Sequence, residues 1–224
     1  MINKRNKSEK LKAPTLPKSE LAKGLPDESL QNHAYYAQLL LAHEDLSRQA
    51  ASHISFDQVL FQHVNLGHTQ LKKVQFIDSR LMTCDLANAE WTEAVFHRVE
   101  LIDCHLTGFH SIEARLQDIF FKECSSTFAQ FRFTILKNVR FENCDLSDAD
   151  FQEASLSNVT FANCNLCNVE LTGAKLTGVD IRGSKIDGLR AGPRELKGAI
   201  LDPTQALAFV RGMGITVELP EKEL

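Results

Sequence analysis

A large apolar residue recurs at every fifth position of this 224-residue chain, from Phe56 to Ile186. Of the 27 positions in this register, 25 are large and apolar, and the exceptions are Ser111 and Ser126. A period of five matches neither an α-helix, with a period of about 3.6, nor an extended strand, with a period of about 2. It predicts a short strand segment followed by a corner, repeated along the chain as a solenoid.

The second residue after each large apolar residue indicates the shape of the corner. In the second half of the chain this position holds mainly Asn or Gly, for example Asn138, Asn163 and Gly178. A type II turn needs a positive φ at its second central residue, which Gly and Asn adopt readily. In the first half the position holds residues such as His63 and Lys73. The sequence therefore predicts regular type II corners after about residue 138 and less regular corners before it.

Five of the six cysteines share a register of period 20, which predicts coils with four sides. They are Cys84, Cys104, Cys124, Cys144 and Cys164. These cysteines could bind a metal, form disulfides with one another, or simply pack as free thiols in the core. Stacked Cβ atoms would lie about 4.8 Å apart, whereas a disulfide prefers about 3.8 Å. Zinc needs ligands that converge on one point. We therefore expect buried, structural thiols in a rod on the order of 32 Å long.

This pattern resembles the pentapeptide-repeat family, whose tandem fives form a right-handed quadrilateral β-helix. The matching stretches include CDLANAEW, CDLSDADFQEASL and ANCNLCNVELTGAKLTGVDI, and the resemblance covers at least residues 54–190. The expected fold class is therefore all-β: a right-handed quadrilateral β-helix of 20-residue coils, with a C-terminal capping helix and a short strand.

The C-terminal residues 188–220 resemble the corresponding end of the quinolone-resistance members of that family. Asp202 suits an N-cap, Pro203 the first helical position and Gln205 a capping box, so a helix is predicted there. The stretch ITVEL predicts a short strand. In the resembled proteins this end caps the rod and forms a head-to-head dimer, which implies a homodimer here. The candidate cap or dimer residues are Leu207, Phe209 and Val210.

Four segments are predicted along the chain. Residues 1–26 contain seven Lys or Arg and two Asp or Glu, which is typical of a flexible basic tail. Residues 27–40 are predicted to form a capping helix. The β-helix is expected over 41–201, and the C-terminal helix and tail over 202–224.

Composition narrows the function classes. The formal net charge is −4, and no apolar run approaches the length of a membrane span. We therefore expect no direct nucleic-acid or membrane binding, and a cytoplasmic location. No phosphate-binding glycine loop, Ser/His/Asp arrangement or metal-ligand spacing is present in the sequence, so we predict a protein that is not an enzyme and binds neither cofactor nor metal.

An acidic face is the first candidate binding surface. Residues 41–190 contain 20 acidic and 14 basic residues, and no basic residue lies between Arg140 and Lys175. A rod with an acidic stripe can imitate duplex DNA toward a basic groove. The alternative is that these charges only keep the rod soluble. The candidate residues are Glu142, Asp145, Asp148, Asp150, Glu153 and Glu170.

An apolar patch is the second candidate surface. Four large apolar residues fall at positions predicted to point outward: Phe120, Phe128, Phe133 and Ile135. Such residues mark a partner contact or are covered by the N-terminal segment. Cys167 is the one cysteine predicted to face outward, and its reactivity stays open.

Two functional hypotheses follow. The first is a non-enzymatic binding protein that imitates DNA and modulates DNA gyrase, as the quinolone-resistance resemblance implies. The alternative is a structural or interaction scaffold that binds another protein partner through the apolar patch.

Overall fold

The computed structural model describes residues 10–18, 20–26 and 29–218. Twelve strands and one helix form within these residues. They are β1 (Ala22–Lys23), β2 (Tyr35–Ala37), β3 (Leu39–Ala42), β4 (Ala50–Ser52), β5 (Ser55–Asp57), β6 (Leu60–Gln62), β7 (Gln70–Lys72), β8 (Gln75–Met82), β9 (Val95–Ile102), β10 (Arg115–Lys122), β11 (Ile135–Glu142), β12 (Ser155–Ala162) and α1 (Pro203–Gly212).

All the strand pairs are parallel, and from β2 onward every pair joins residues that are twenty positions apart. Val95 pairs with Arg115, which pairs in turn with Ile135. Ten strands form one sheet and β4 pairs with β7 in a second. The predicted coil of twenty residues, with the large apolar positions inside, is confirmed.

Each coil has four faces, which we number from the coil of residues 84–103. Face 1 corresponds to residues 84–86, face 2 to 89–91, face 3 to 94–96 and face 4 to 99–101. Faces 1 and 2 are joined from coil to coil mainly by single bridges such as Asp85 to His105 and Glu90 to His110, and the strand pair β4–β7 lies on face 2 of the early coils. The eight-residue strands β8 to β12 run through faces 3 and 4 and turn the intervening corner without interruption.

Stacked aromatic rings fill the interior. The Phe121 and Phe141 ring centroids are 4.5 Å apart, and those of Phe141 and Phe161 are 5.0 Å apart. These spacings match the rise of about 4.8 Å between hydrogen-bonded strands, so each ring lies on the equivalent ring of the next coil. The core is therefore one continuous column along the rod.

The corners are equally regular in both halves, so the predicted difference between them is wrong. His63, Lys73 and Arg98 have φ values of 53°, 57° and 54°, the same region that Asn138 occupies at 53°. The N–H of His63 donates to the Met82 carbonyl at 3.0 Å. Because each corner is fixed by such bonds to the next coil, stacking sets its conformation and overrides the preference of the residue there.

The helix predicted over residues 27–40 is not found in the described part, residues 29–40. Those residues contain β2 and the start of β3 instead, and residues 27 and 28 lie outside the description. Tyr36 stacks on Phe56 with ring centroids 5.4 Å apart, so it occupies the core position of the five-residue register. The solenoid thus begins before residue 41, and β1 pairs with β3 beside its first coil.

The tail predicted over residues 1–26 is seated on the rod wherever the structure describes it. Residues 10–18 lie along one corner, where the Thr15 N–H donates to Asp78 Oδ1 at 2.8 Å. Residues 20–26 include β1. Residues 1–9 and 19 lie outside the described residues.

The C-terminal helix forms as predicted, with the Asp202 and Gln205 capping box. Gln205 is buried, and its side-chain amide donates to the carbonyls of Ile181 and Ser184, both at 2.7 Å. The predicted ITVEL strand is absent over residues 215–218, and residue 219 is not described. A strand needs a paired edge, and residues 215–218 have no bridge partner among the described residues. Gln205 of α1 already binds carbonyls of the last coil at this end.

Candidate protein-binding surface

The six acidic candidates are distributed around one end of the rod. Asp145 lies on face 1, while Asp150 and Glu170 lie on face 2 and form a bridge between neighbouring coils. Asp148 occupies the corner between faces 1 and 2, and Glu153 the corner between faces 2 and 3. Glu142 lies apart from the rest, at the corner between faces 4 and 1.

Arginine offsets part of this negative charge. Three of the six carboxylates have an arginine nitrogen nearby: Glu142 with Arg140 at 2.7 Å, Asp150 with Arg132 at 3.7 Å and Glu170 with Arg190 at 3.8 Å. The acidic face therefore carries less net negative charge than its sequence suggests, since arginines outside residues 141–174 lie next to its carboxylates.

Hydrogen bonds hold two of the carboxylates, Asp145 and Glu170, on the rod. Asp145 accepts hydrogen bonds from the Ser147 N–H at 2.9 Å and from the Asn165 side-chain amide at 3.0 Å. Burial opposes ionisation of Glu170, but the hydroxyl and N–H of Thr172 lower its pKa, with a net decrease. These carboxylates are held by the rod itself, which reduces their freedom to turn toward a partner.

Asp148 and Glu153 are the two exposed members of the acidic set, and they lie directly above two exposed phenylalanines. Phe128 is 58% exposed and Phe133 is 55% exposed. The period of twenty places Phe128 beneath Asp148 and Phe133 beneath Glu153, at a coil spacing of about 4.8 Å. Within the described residues, neither of these carboxylates forms a salt bridge. We call these four residues the Phe–carboxylate surface.

The rod backbone fixes this surface. The N–H of Phe128 donates to the Ser147 carbonyl at 3.1 Å, and that of Phe133 to the Gln152 carbonyl at 3.0 Å. All four residues of the surface have positive φ, between 57° and 58°, so their side chains project from the corners. The structure thus joins the two surfaces that the sequence suggested separately.

The other two members of the predicted apolar patch lie elsewhere. Ile135 is 48% exposed on face 3, two residues beyond Phe133, and extends the surface. Phe120 is half-buried and lies on face 4. It precedes Ile135 by fifteen residues, and since each face takes five residues, the two lie three faces apart along the chain. Residues 10–18 run along the corner between faces 3 and 4, and β1 pairs with β3 on face 4, so these segments leave Phe128 and Phe133 uncovered.

The predicted cysteine ladder is inside the rod. Cys84, Cys104, Cys124, Cys144 and Cys164 are all buried and free. Each thiol donates to the carbonyl two residues earlier, as Cys104 does to Ile102 at 3.4 Å. Neighbouring thiols and burial raise the pKa of Cys84 and Cys164 at the two ends. These end thiols therefore stay protonated and pack as small apolar groups.

Four of the eight histidines are paired by stacking. His43 and His63 have ring centroids 4.9 Å apart and nearly parallel planes, and His33 and His53 repeat this arrangement. Across the part of the chain that the structure describes, no group of three or more His, Cys, Asp or Glu is arranged to hold a metal ion. No helix among the described residues is both long and apolar enough to cross a bilayer.

The C-terminal end exposes apolar side chains. Leu207, Phe209 and Val210 are half-buried. Phe209 and Met213 line one side of a cavity of about 330 Å³ between α1 and the last coil. Ile200, Met213 and Ile215 are 43%, 49% and 50% exposed.

Comparison with known proteins identifies the repeat and the fold. A family model described as "Pentapeptide repeat region" matches residues 74–151 and 115–190. One similar solved structure is a trypsin-treated form of QnrB1, described as a plasmid-mediated fluoroquinolone resistance protein. It is 18% identical, the match covers 90% of this chain and 100% of that chain, and the TM-score is 0.57. A second structure is HetL from the cyanobacterium Nostoc sp., described as a pentapeptide repeat protein involved in heterocyst differentiation regulation. It is 17% identical, the match covers 76% of this chain and 90% of HetL, and the TM-score is 0.33. No curated protein sequence matches the chain.

Proposed function

This chain belongs to the pentapeptide-repeat family, and we propose that it acts as a non-enzymatic binding rod whose Phe–carboxylate surface contacts a basic, DNA-binding surface of a protein partner. The proposal rests on one observation: the exposed Phe128 and Phe133 lie one coil below the exposed Asp148 and Glu153. Aromatic residues are the usual anchors of protein interfaces, and charges around them set orientation and partner choice.

DNA gyrase is the first candidate partner. The resemblance of residues 188–220 to the quinolone-resistance proteins supports this choice, as does the QnrB1 description as a fluoroquinolone resistance protein. A surface of gyrase that receives the phosphates of DNA is basic, and Asp148 and Glu153 offer carboxylates to such a surface. In this account the chain imitates DNA locally and adds an apolar contact that DNA lacks.

Paired variants test this surface. Removing the aromatic rings with Phe128→Ser and Phe133→Ser is expected to weaken gyrase binding by at least about tenfold, because interface anchors commonly contribute 2 kcal/mol or more each. Asp148→Asn with Glu153→Gln is expected to reduce both the affinity and its salt dependence. Tyr35→Ser and Asp103→Asn serve as matched controls, because both residues are exposed but far from this surface. Equal binding by all variants would contradict the proposal.

A scaffold that binds a different protein partner is the second candidate function. The exposure of Phe128, Phe133 and Ile135 favours it, since an apolar contact does not require a DNA-binding partner. The two functions differ in one measurement. Binding that depends on the phenylalanines but is unaffected by the carboxylate variants and by competing DNA supports the scaffold.

The proposed assembly is a homodimer through the C-terminal end, in the cytoplasm. Ile200, Met213 and Ile215 expose apolar surface beside α1, and a second copy of the same end is the occupant that would bury it symmetrically.

A further inference from the structure

The N-terminal residues 10–18, which we call the strap, lie on the rod without forming a strand or helix. Their contacts lie along the corner between faces 3 and 4, and we call the outer surface of that corner, at Gln58, Asp78, Arg98, Asp118 and Asn138, the corner groove. These residues are equivalent positions of five successive coils. The strap therefore runs parallel to the rod axis and crosses the coils.

The strap is bound mainly through its backbone. The Thr15 N–H donates to Asp78 Oδ1 at 2.8 Å, and the Thr15 carbonyl accepts from the Gln58 side-chain amide at 3.0 Å. The Lys12 N–H lies 3.4 Å from Asp118 Oδ1. Because the groove holds backbone groups, it recognises an extended conformation and is not tied to one set of side chains at those positions.

The spacing of the groove matches that of an extended chain. Thr15 and Lys12 are three residues apart, and their acceptors Asp78 and Asp118 are two coils apart. Three extended residues cover about 10 Å, and two coils rise about 9.6 Å. Leu11, Pro14 and Pro17 follow the same period of three and are half-buried, as is Leu16, whereas Lys12 and Thr15 are exposed. The proline positions also favour the extended backbone before binding, which lowers the entropic cost.

The charges of the groove fit a basic segment. Asp118 is 2% exposed and Asp78 is 7% exposed. The Arg98 guanidinium bonds both oxygens of Asp78 at 2.5 and 2.7 Å and also attracts Asp118 one coil further along, so a single guanidinium faces two carboxylates. Asn138 orients the Asp118 carboxylate by donating to Oδ1 at 3.3 Å. The strap brings Lys10, Lys12 and Lys18 to this corner.

We propose that the corner groove is a peptide-binding site of the rod, and that the strap occupies it as a built-in competitor. Its ligand class is an extended, basic protein segment with proline or another apolar residue at every third position. A partner carrying such a segment binds when it displaces the strap. This site lies on the opposite corner from the one that Phe128 and Asp148 occupy, so it is independent of the function proposed above.

Proline substitutions in the full chain test this directly. Lys12→Pro with Thr15→Pro removes the two N–H donors and keeps the strap extended and of the same length. A fluorescently labelled peptide of residues 10–18, KLKAPTLPK, is then titrated and its anisotropy followed. We expect the peptide to bind the double variant at least about tenfold more tightly than it binds the unaltered chain. Each hydrogen bond to a carboxylate contributes a factor of about 10 to 100 to the binding constant, and the double variant's own strap has lost two of them.

Two matched controls define the result. Ala13→Pro places a proline in the strap at an exposed residue whose N–H has no bond to the groove, and it is expected to bind no more peptide than the unaltered chain. In the double variant, Asp118→Asn is expected to weaken peptide binding about tenfold, whereas Asp103→Asn, at another corner, leaves it unchanged. The altered strap residues lie outside the coils, and circular dichroism verifies that the coils remain.

Failure of the peptide to bind the double variant, or equal binding to all the chains, would overturn the proposal. Amide hydrogen exchange of the unaltered chain gives a second check that needs no substitution. Protection of the Lys12 and Thr15 amides is expected, and exchange at the rate of an unstructured peptide would also overturn it.

Discussion

At the scale of single residues, the corners hold side chains that the left-handed region normally disfavours. Among the described residues, twenty-seven other than glycine have positive φ, including His, Lys, Glu and Phe. Each such residue carries a conformational cost, which is largest for a β-branched side chain. The hydrogen bonds between coils offset this cost, so corner residues are free to vary and to carry surface function.

Thr83 is the β-branched residue among these corners, with a φ of 51° and an exposed side chain. Replacing it with glycine relieves the strain and loses only a 3.4 Å contact to Asp103. We expect Thr83→Gly to raise the free energy of unfolding by about 1 kcal/mol, measured by urea denaturation. Thr92→Gly is the control, because Thr92 does not have positive φ, and it is expected to give no gain. A destabilised Thr83→Gly would contradict this explanation of the corners.

At the scale of elements, α1 is attached to the rod by a polar residue. The Gln205 side chain accepts from the Asp202 N–H at 3.0 Å and donates to two carbonyls of the last coil. The capping box could be recognised in the sequence, but its use as an anchor could not, because the carbonyls it binds lie 21 and 24 residues earlier.

Removing that anchor should destabilise the C-terminal end. Gln205→Ala leaves the Ile181 and Ser184 carbonyls buried without this donor, so we expect a loss of about 1–3 kcal/mol in the free energy of unfolding. Thr204→Ala, on the exposed side of α1, is expected to cost less than half as much. Urea denaturation followed by circular dichroism distinguishes them, and equal effects would show that Gln205 is not the anchor.

The strap should detach in acid. The Arg98 guanidinium, aided by the Thr15 N–H and opposed by burial, lowers the pKa of Asp78. A lowered folded-state pKa means that this stabilisation is complete above the unfolded value of about 3.9 and is lost as pH falls through the folded value. Protection of the Thr15 amide, corrected for intrinsic exchange, is therefore expected to fall below about pH 4.

A neighbouring charge acts in the same direction. His97, whose pKa is lowered mainly by burial, gains positive charge near Lys12 as the pH falls. Asp78→Asn separates these effects, because it is expected to remove the part of the pH dependence that belongs to Asp78. Unchanged protection of Thr15 from pH 7 to pH 3 would contradict this account of the strap.

At the scale of the whole molecule, periodicity predicted the rod but not what lies on it. The register of five identified the core from Phe56 to Ile186, and the period of twenty identified the cysteine ladder. The same period contained the information that Phe128 lies beneath Asp148, although the two surfaces were predicted separately. No period identified the strap, because Thr15 and Lys12 bind residues 63 and 106 positions away through backbone groups. Proline at positions 14 and 17 was the available signal.

The proposed dimer is tested at the exposed apolar end. Met213→Glu with Ile215→Glu places charge in the contact, so we expect a dimeric chain to become monomeric in light scattering coupled to size-exclusion chromatography. Ile135→Glu, an equally exposed apolar residue on face 3, is expected to leave the mass unchanged. A monomer for the unaltered chain, or a dimer for the double variant, would contradict this assembly.

Binding to purified DNA gyrase, with DNA as the competitor and at two salt concentrations, tests the proposed function most directly. The Phe–carboxylate surface predicts binding that weakens as salt rises and that DNA displaces, because Asp148 and Glu153 would occupy positions that otherwise receive phosphates. The absence of binding, or binding that neither salt nor DNA alters, would contradict the account.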